Sequence, residues 1–160
     1  MYQYEGSLNK FLVDDKGSTL LAVFGLPPLA HENDPARALL ASLKMHRLMA
    51  ELGLRSSVGV TSGLALCGLV GSGSRREYSV IGDLVNLSAR LMQAADGDVL
   101  CDKATYLAAR TQKRLVFRSL VPIKVKGKSA LVYVYNPGMN DSFSCCGRGD
   151  GSFVTWNCIS

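Results

Sequence analysis

Residues 76–90 constrain the fold of this chain more tightly than any other stretch; they read Arg-Glu-Tyr-Ser-Val-Ile-Gly-Asp-Leu-Val-Asn-Leu-Ser-Ala-Arg. The run 78–81 favours a strand, Gly82 breaks it, and Asp83 suits a helix cap. Apolar residues then recur at helical spacing to about Ala95, so strand, tight turn and helix are predicted in direct succession. A helix entered through such a turn presents free backbone N–H groups and its positive dipole end to an anion. Asn86 and Arg90 stand four apart and project from one face. An amide and a guanidinium placed there could orient a sugar and neutralise a phosphate. Spacing alone favours the plainer reading, a solvated Asn and an Arg paired with some carboxylate.

The rest of the chain divides into short elements. Residues 9–13 and 19–24 read as strands around a turn at 14–17. Residues 25–32, with Pro27 and Pro28, read as a loop. Asn33 or Asp34 caps a helix, with Pro35 in its first turn, and Gly53 stops it. Residues 54–61 and 64–70 are strand-like, and 71–75 is a glycine- and serine-rich turn. Strands are expected at 99–101, 115–118, 123–126 and 131–135, with a short helix over 102–109. Strand pairs alternating with helices predict a sheet with helices packed on it. Composition changes after Pro137, and 138–160, rich in Gly, Ser and Cys, reads as a disordered tail. The domain is thus assigned to 1–137. Arg148-Gly149-Asp150 in that tail is read as a chance match.

Composition narrows the class of protein. At 160 residues and 48% hydrophobic content, the chain can bury one core. No apolar run approaches the roughly 20 residues that span a bilayer, and no secretory leader is visible at the start. The five cysteines are irregularly spaced, which suits reduced thiols and a cytoplasmic protein. Cys67 and Cys101 sit in apolar runs and read as core residues. A net charge of +5 suits an anionic ligand without requiring one. Sheet aromatics in the pattern of an RNA-binding strand are missing, so nucleic acid is not an expected partner.

The 76–90 segment closely resembles the strand–turn–helix of class III adenylyl and guanylyl cyclases. The resemblance extends to Val58-Gly59-Val60-Thr61-Ser62-Gly63, to Cys67-Gly68-Leu69-Val70-Gly71, and to Val125-Lys126-Gly127-Lys128 followed by Val132-Tyr133. It covers nearly all of residues 9–137, and residues 8–17 look most like the second cyclase half of soluble adenylyl cyclases. It implies an α/β (α+β) ferredoxin-like cyclase fold, with a mainly antiparallel sheet and helices packed on it. It also implies a reaction: the ribose 3′-oxygen attacks the α-phosphate of a nucleoside triphosphate and pyrophosphate leaves. The family's site lies between two such domains.

Each role carries over at a matching position. Asn86 matches the ribose-orienting Asn, and Arg90 the Arg that stabilises the transition state. Lys10 matches the Lys that reads the purine, and Ser79 stands where adenine-selective members have Asp or Thr. Lys10 with Ser79 favours ATP, since Lys donates to a ring nitrogen and a hydroxyl accepts from the exocyclic amine. Lys128 stands at a phosphate-binding position. Without the resemblance, Lys10 reads as a strand-edge charge, and Lys128 reads equally well as a solvated strand-end lysine.

The resemblance breaks at the metal site. The family holds Mg²⁺ or Mn²⁺ with two Asp side chains. Asp14 has the spacing of one, but Val13 stands where the family places Gly, and 14–17 reads as a plain turn. The first strand, with the other Asp, is missing upstream, which would leave a gap in mid-sheet. The expected role is therefore a half-domain that converts ATP to cyclic AMP only with a metal-binding cyclase domain, in cis or in trans. The isolated chain is expected to be inactive. The alternative is a catalytically inactive cyclase-like dimerisation or regulatory module.

Overall fold

The computed structural model describes residues 2–15, 17–126, 130–140 and 153–159. After a 3-10 turn at Tyr2–Tyr4, β1 (Ser7–Asp14) and β2 (Gly17–Val23) form the expected hairpin, with Asp14 opposite Gly17. Helix α1 (Asp34–Glu51) has Asn33 at its cap position, but no side-chain capping bond forms there. Asp34 is buried instead and accepts the backbone N–H of His31 at 2.7 Å. Gly53, at φ 73°, ends the helix by adopting a left-handed conformation that glycine tolerates. There follow β3 (Arg55–Thr61), the hairpin β4 (Leu66–Ser72) and β5 (Arg75–Ile81), α2 (Asp83–Ala95), β6 (Val99–Asp102), α3 (Lys103–Ala109), β7 (Leu115–Ser119), β8 (Val134–Met139) and β9 (Phe153–Ile159).

These elements make a mixed α+β fold. The larger sheet has seven strands in the order β1-β2-β9-β3-β6-β8-β7, and β4-β5 is a separate two-stranded sheet. Alternation along each strand sends residues to opposite faces. Ala22, Val58, Val60, Val99 and Cys101 join Ala38, Leu39 and Ala41 of α1 in the main core. On the other face, Leu21 and Val23 meet Val80 and Leu84, while Leu100 and Val134 meet Leu91 and Ala95. Helix α2 therefore rides on the second face, between β5 and the sheet. Burial raises the Cys101 thiol above its ordinary range, with Asp102 adding to the effect, so it behaves as an inert core residue.

One glycine permits this packing. A Cβ on Gly59 in β3 would collide with the Ser88 carbonyl of α2 and lie 2.6 Å from the Met92 nitrogen. The close approach is backbone against backbone, so no side-chain rotation would relieve it. Thr61 reinforces it by donating its hydroxyl to the Leu84 carbonyl at 3.0 Å.

The structure corrects several expectations. The C-terminal segment predicted to be disordered contributes β9, which runs parallel to both β2 and β3 and pairs with them along its length. The mid-sheet gap expected from the sequence is thus occupied by a strand. The run Phe-Val-Thr-Trp-Asn-Cys-Ile is itself β-favouring, and the Gly-, Ser- and Cys-rich stretch before it in the sequence hid it. Strand β8 also runs past Pro137 to Met139. Its pairing with β6 stops at Tyr135, so Pro137 lies where β8 has only β7 beside it. The strand expected at 123–126 is reduced to one bridge, Ile123 with Val132. The preceding Pro122 has no N–H to extend it. Finally, Gly82 holds the N-cap position of α2 and Asp83 is its first helical residue.

Three outcomes follow from this packing. Gly59→Ala should lower stability by about 1–3 kcal/mol through overpacking, read as a lower denaturant midpoint; an unchanged midpoint would mean that α2 can lift off β3 freely. A chain ending at Asn140 should lose its cooperative thermal transition, because β1-β2 would part from β3-β6-β8-β7. A retained sharp transition would show that β9 is dispensable. The third concerns His46, which contacts the Ser56 hydroxyl at 2.9 Å. Burial lowers its pKa, with Asp98 and Ser56 opposing the effect. The folded chain therefore binds fewer protons than the unfolded chain below about pH 6.5, and stability falls as pH drops through that window. His46→Gln should flatten the decline in melting temperature between about pH 7 and pH 5.5. An identical slope would assign the titration to another group.

Candidate functional site

The expected site residues that the structure describes fall on three elements, β1, β5 and α2. Strand β5 carries Ser79, which lies opposite Gly68 of β4. Gly82 then turns the chain into α2 in extended backbone, at φ 170°. A Cβ on Gly82 would lie 3.4 Å from the Leu64 carbonyl oxygen and 3.5 Å from Ala65 Cα, ordinary van der Waals contacts. The buried stripe Leu84, Ser88, Leu91, Met92 and Ala95 fixes the rotation of α2. The opposite face is left to Asn86 and Arg90, which are both exposed. Asp83 in the first turn complements the helix dipole.

Arg90 is lightly held. Its Nη1 donates to Gln93 Oε1 at 3.4 Å, one turn along the same helix. It is not locked into a buried ion pair, so its guanidinium is available to an incoming anion. Asn86 and Arg90 therefore share a solvent-facing surface, as their spacing predicts.

Lys10 lies on β1, the edge strand of the larger sheet. Its ammonium reaches Glu77 Oε1 at 3.7 Å. Ser79 is two residues further along β5 and so shares the face of Glu77. The structure thus brings Lys10 to the strand that carries Ser79, through Glu77. The neighbouring residue Asn9 donates its amide Nδ2 to the Tyr78 carbonyl at 3.0 Å. Glu77 and Asn9 are the residues that sequence reasoning missed. Period-two spacing from Ser79 could have flagged Glu77. Nothing local flags Asn9, whose placement depends on a register shift in β1.

Lys128 lies outside the described residues, as does the side chain of Asp14. Among the described residues no three His, Cys, Asp or Glu side chains come together as a metal site. No step is assigned to a metal held by this chain. Asp102 is not a ligand in waiting. It caps α3, accepting the Thr105 N–H at 3.0 Å and the Thr105 hydroxyl at 2.6 Å. Burial raises its pKa against those hydrogen bonds. No helix among the described residues is long and apolar enough to cross a membrane.

One further property surrounds the site. Phe11, Leu12 and Val13 of β1, and Leu66, Leu69 and Ile81 of the hairpin, are large apolar side chains left more than half exposed. By alternation these side chains lie on both faces of β1 and of the hairpin, and apolar surface left open in this way suits contact with another chain or domain.

Comparison with known proteins gives a consistent result. Residues 11–136 match the family model described as the adenylate and guanylate cyclase catalytic domain. The chain is 32% identical over 157 residues to adenylate cyclase type 10 of Oryctolagus cuniculus, covering 92% of this chain and 10% of that protein. It is 38% identical over 105 residues to the Homo sapiens protein of the same name, covering 64% of this chain and 6% of that one. The chain thus spans a tenth or less of the length of these relatives. Among solved structures, the adenylyl cyclase CyaB from P. aeruginosa superposes with a TM-score of 0.71 at 26% identity, covering 91% of this chain and 77% of that one. The guanylate cyclase domain of RhGC from Catenaria anguillulae, solved with GTP, also gives 0.71, at 17% identity, covering 88% of this chain and 76% of that one. At that identity the second likeness bears on the fold alone.

Proposed function

Because this chain belongs to the adenylate and guanylate cyclase catalytic domain family, we propose that it is one half of an adenylyl cyclase site, converting ATP to cyclic AMP and pyrophosphate together with a second cyclase domain. The ribose 3′-hydroxyl gives up its proton to solvent as its oxygen forms a bond to the α-phosphorus. The bond from that phosphorus to the pyrophosphate oxygen breaks, and pyrophosphate carries away the electron pair. Asn86 orients the ribose by hydrogen bonds from its amide. Arg90 neutralises the charge that grows on the phosphoryl oxygens in the transition state. Lys10 donates to the adenine ring, Ser79 accepts from its exocyclic amine, and Lys128 holds phosphate.

The observation that carries this reading is the shared, exposed face of Asn86 and Arg90 on α2, immediately after the strand bearing Ser79. The exposed apolar residues of β1 and the hairpin support a partner domain there, in cis or in trans. The Mg²⁺ or Mn²⁺ that family chemistry calls for is assigned to the partner's carboxylates. A cytoplasmic location belongs to the same proposal.

A second reading is favoured by one observation, Val13, which stands immediately before Asp14 where the family's metal-binding halves place Gly. In it the chain is an inactive cyclase-like module that only stabilises its partner. The two readings separate in one experiment. The chain is mixed with a metal-binding cyclase domain, and cyclic AMP formation is measured with wild type and with Arg90→Ala. Loss of Arg90 should reduce the rate by roughly 10²-fold or more, as for removal of one transition-state donor. Equal rates would eliminate the enzymatic reading and leave the stabilising module.

A further inference from the structure

The way the two sheets meet depends on one side chain that is not expected to touch substrate. In β1, Leu8 pairs with Ala22 and Lys10 with Leu21, so Asn9 is the extra residue of a β-bulge. A bulge re-aims its side chain and sharpens the local twist. Here it sends Asn9 Nδ2 to the Tyr78 carbonyl at 3.0 Å. The amide cannot be turned over without setting oxygen against oxygen, so the donor assignment is firm. This orientation leaves Asn9 Oδ1 buried with no partner among the described residues. An unmet buried acceptor weakens a fold. Asn9 is thus poorly suited to a purely stabilising role.

The next residue makes a parallel link, Lys10 to Glu77. Consecutive residues of β1 therefore hold consecutive residues of β5, beside a cleft of about 470 Å³ that Ser7, Leu26 and Pro27 also line. The two links differ in kind. Lys10 and Glu77 are partly exposed, so their attraction is screened by salt. A nucleotide base engaging Lys10 would also draw it from Glu77. The amide–carbonyl bond of Asn9 is subject to neither effect. It matters because β4-β5 shares no strand ladder with the larger sheet among the described residues. A two-stranded ribbon alone is marginal in water.

We propose that Asn9 is a positioning residue: its bond to Tyr78 latches the β4–β5 hairpin to the edge of the larger sheet, at the spacing that lets Lys10 and Ser79 address one purine base. The proposal rests on the reading of Lys10 and Ser79 as base-binding groups. The latch itself can be measured without that reading.

The test compares wild type, Asn9→Leu and Asn9→Asp in the full chain, since both substitutions remove the donor. Hydrogen exchange of 75–81 should be faster by at least about tenfold in both variants, with the global unfolding midpoint not lowered. Unchanged exchange in that strand overturns the latch. A midpoint lowered in both variants overturns it too, because Asn9 would then serve the whole fold. Affinity for a non-hydrolysable ATP analogue, measured with the metal-binding partner domain, should fall several-fold in both variants. Wild-type affinity in the variants would remove the positioning role. If wild type itself bound no analogue, the proposed function would fail, and the exchange data would still decide the latch.

Discussion

The backbone contact between Gly59 of β3 and the Ser88–Met92 turn of α2 is the constraint on which the candidate site depends. A helix normally stands off a sheet by the thickness of two side-chain layers. Here one layer is missing at the contact, and the helix sinks until its carbonyl meets the strand. Thr61, from the same strand, holds the first turn of the helix through the Leu84 carbonyl. Rotation about the helix axis is settled by the stripe Leu84, Leu91, Met92 and Ala95. Once depth and rotation are set, Asn86 and Arg90 have one place to point, away from the sheet.

The second structural theme is division into two sheets. The larger sheet carries the core on both faces and gains an internal strand, between β2 and β3, from the C-terminal segment. The hairpin β4-β5 stands apart and presents Leu66, Leu69 and Ile81 to solvent. Val80 packs one face of it against Leu21, Val23 and Leu84. Asn9 and Lys10 clasp it from within the chain. The proposed partner domain would cover it from outside. The groups proposed to read the base lie on either side of this junction, so base recognition and assembly would be coupled through the same hairpin.

Much of the site was readable from local pattern. The strand, turn and helix of 76–90 follow from β-favouring residues, a glycine and an apolar stripe at helical spacing, each acting over a few residues. The shared face of Asn86 and Arg90 follows from helix geometry alone. Less legible were features set by distant partners. Gly82 rather than Asp83 holds the cap position of α2. Pro137 was taken for a boundary, yet β8 passes through it because pairing with β6 has already ended.

What the sequence determined by itself was the family, the order of strands and helices through most of the chain, and the candidates Lys10, Ser79, Asn86 and Arg90. These rest on residue identity and short-range periodicity, which need no knowledge of neighbours in space. The tertiary structure alone decided that residues 153–159 enter the middle of the sheet, that β4-β5 forms a sheet of its own, and that a bulge turns Asn9 onto Tyr78. The first and last are links between segments far apart in the chain, and the second is the lack of such a ladder. Strand pairing is made by backbone groups that every residue carries, so sequence pattern cannot announce which distant edge a strand will choose.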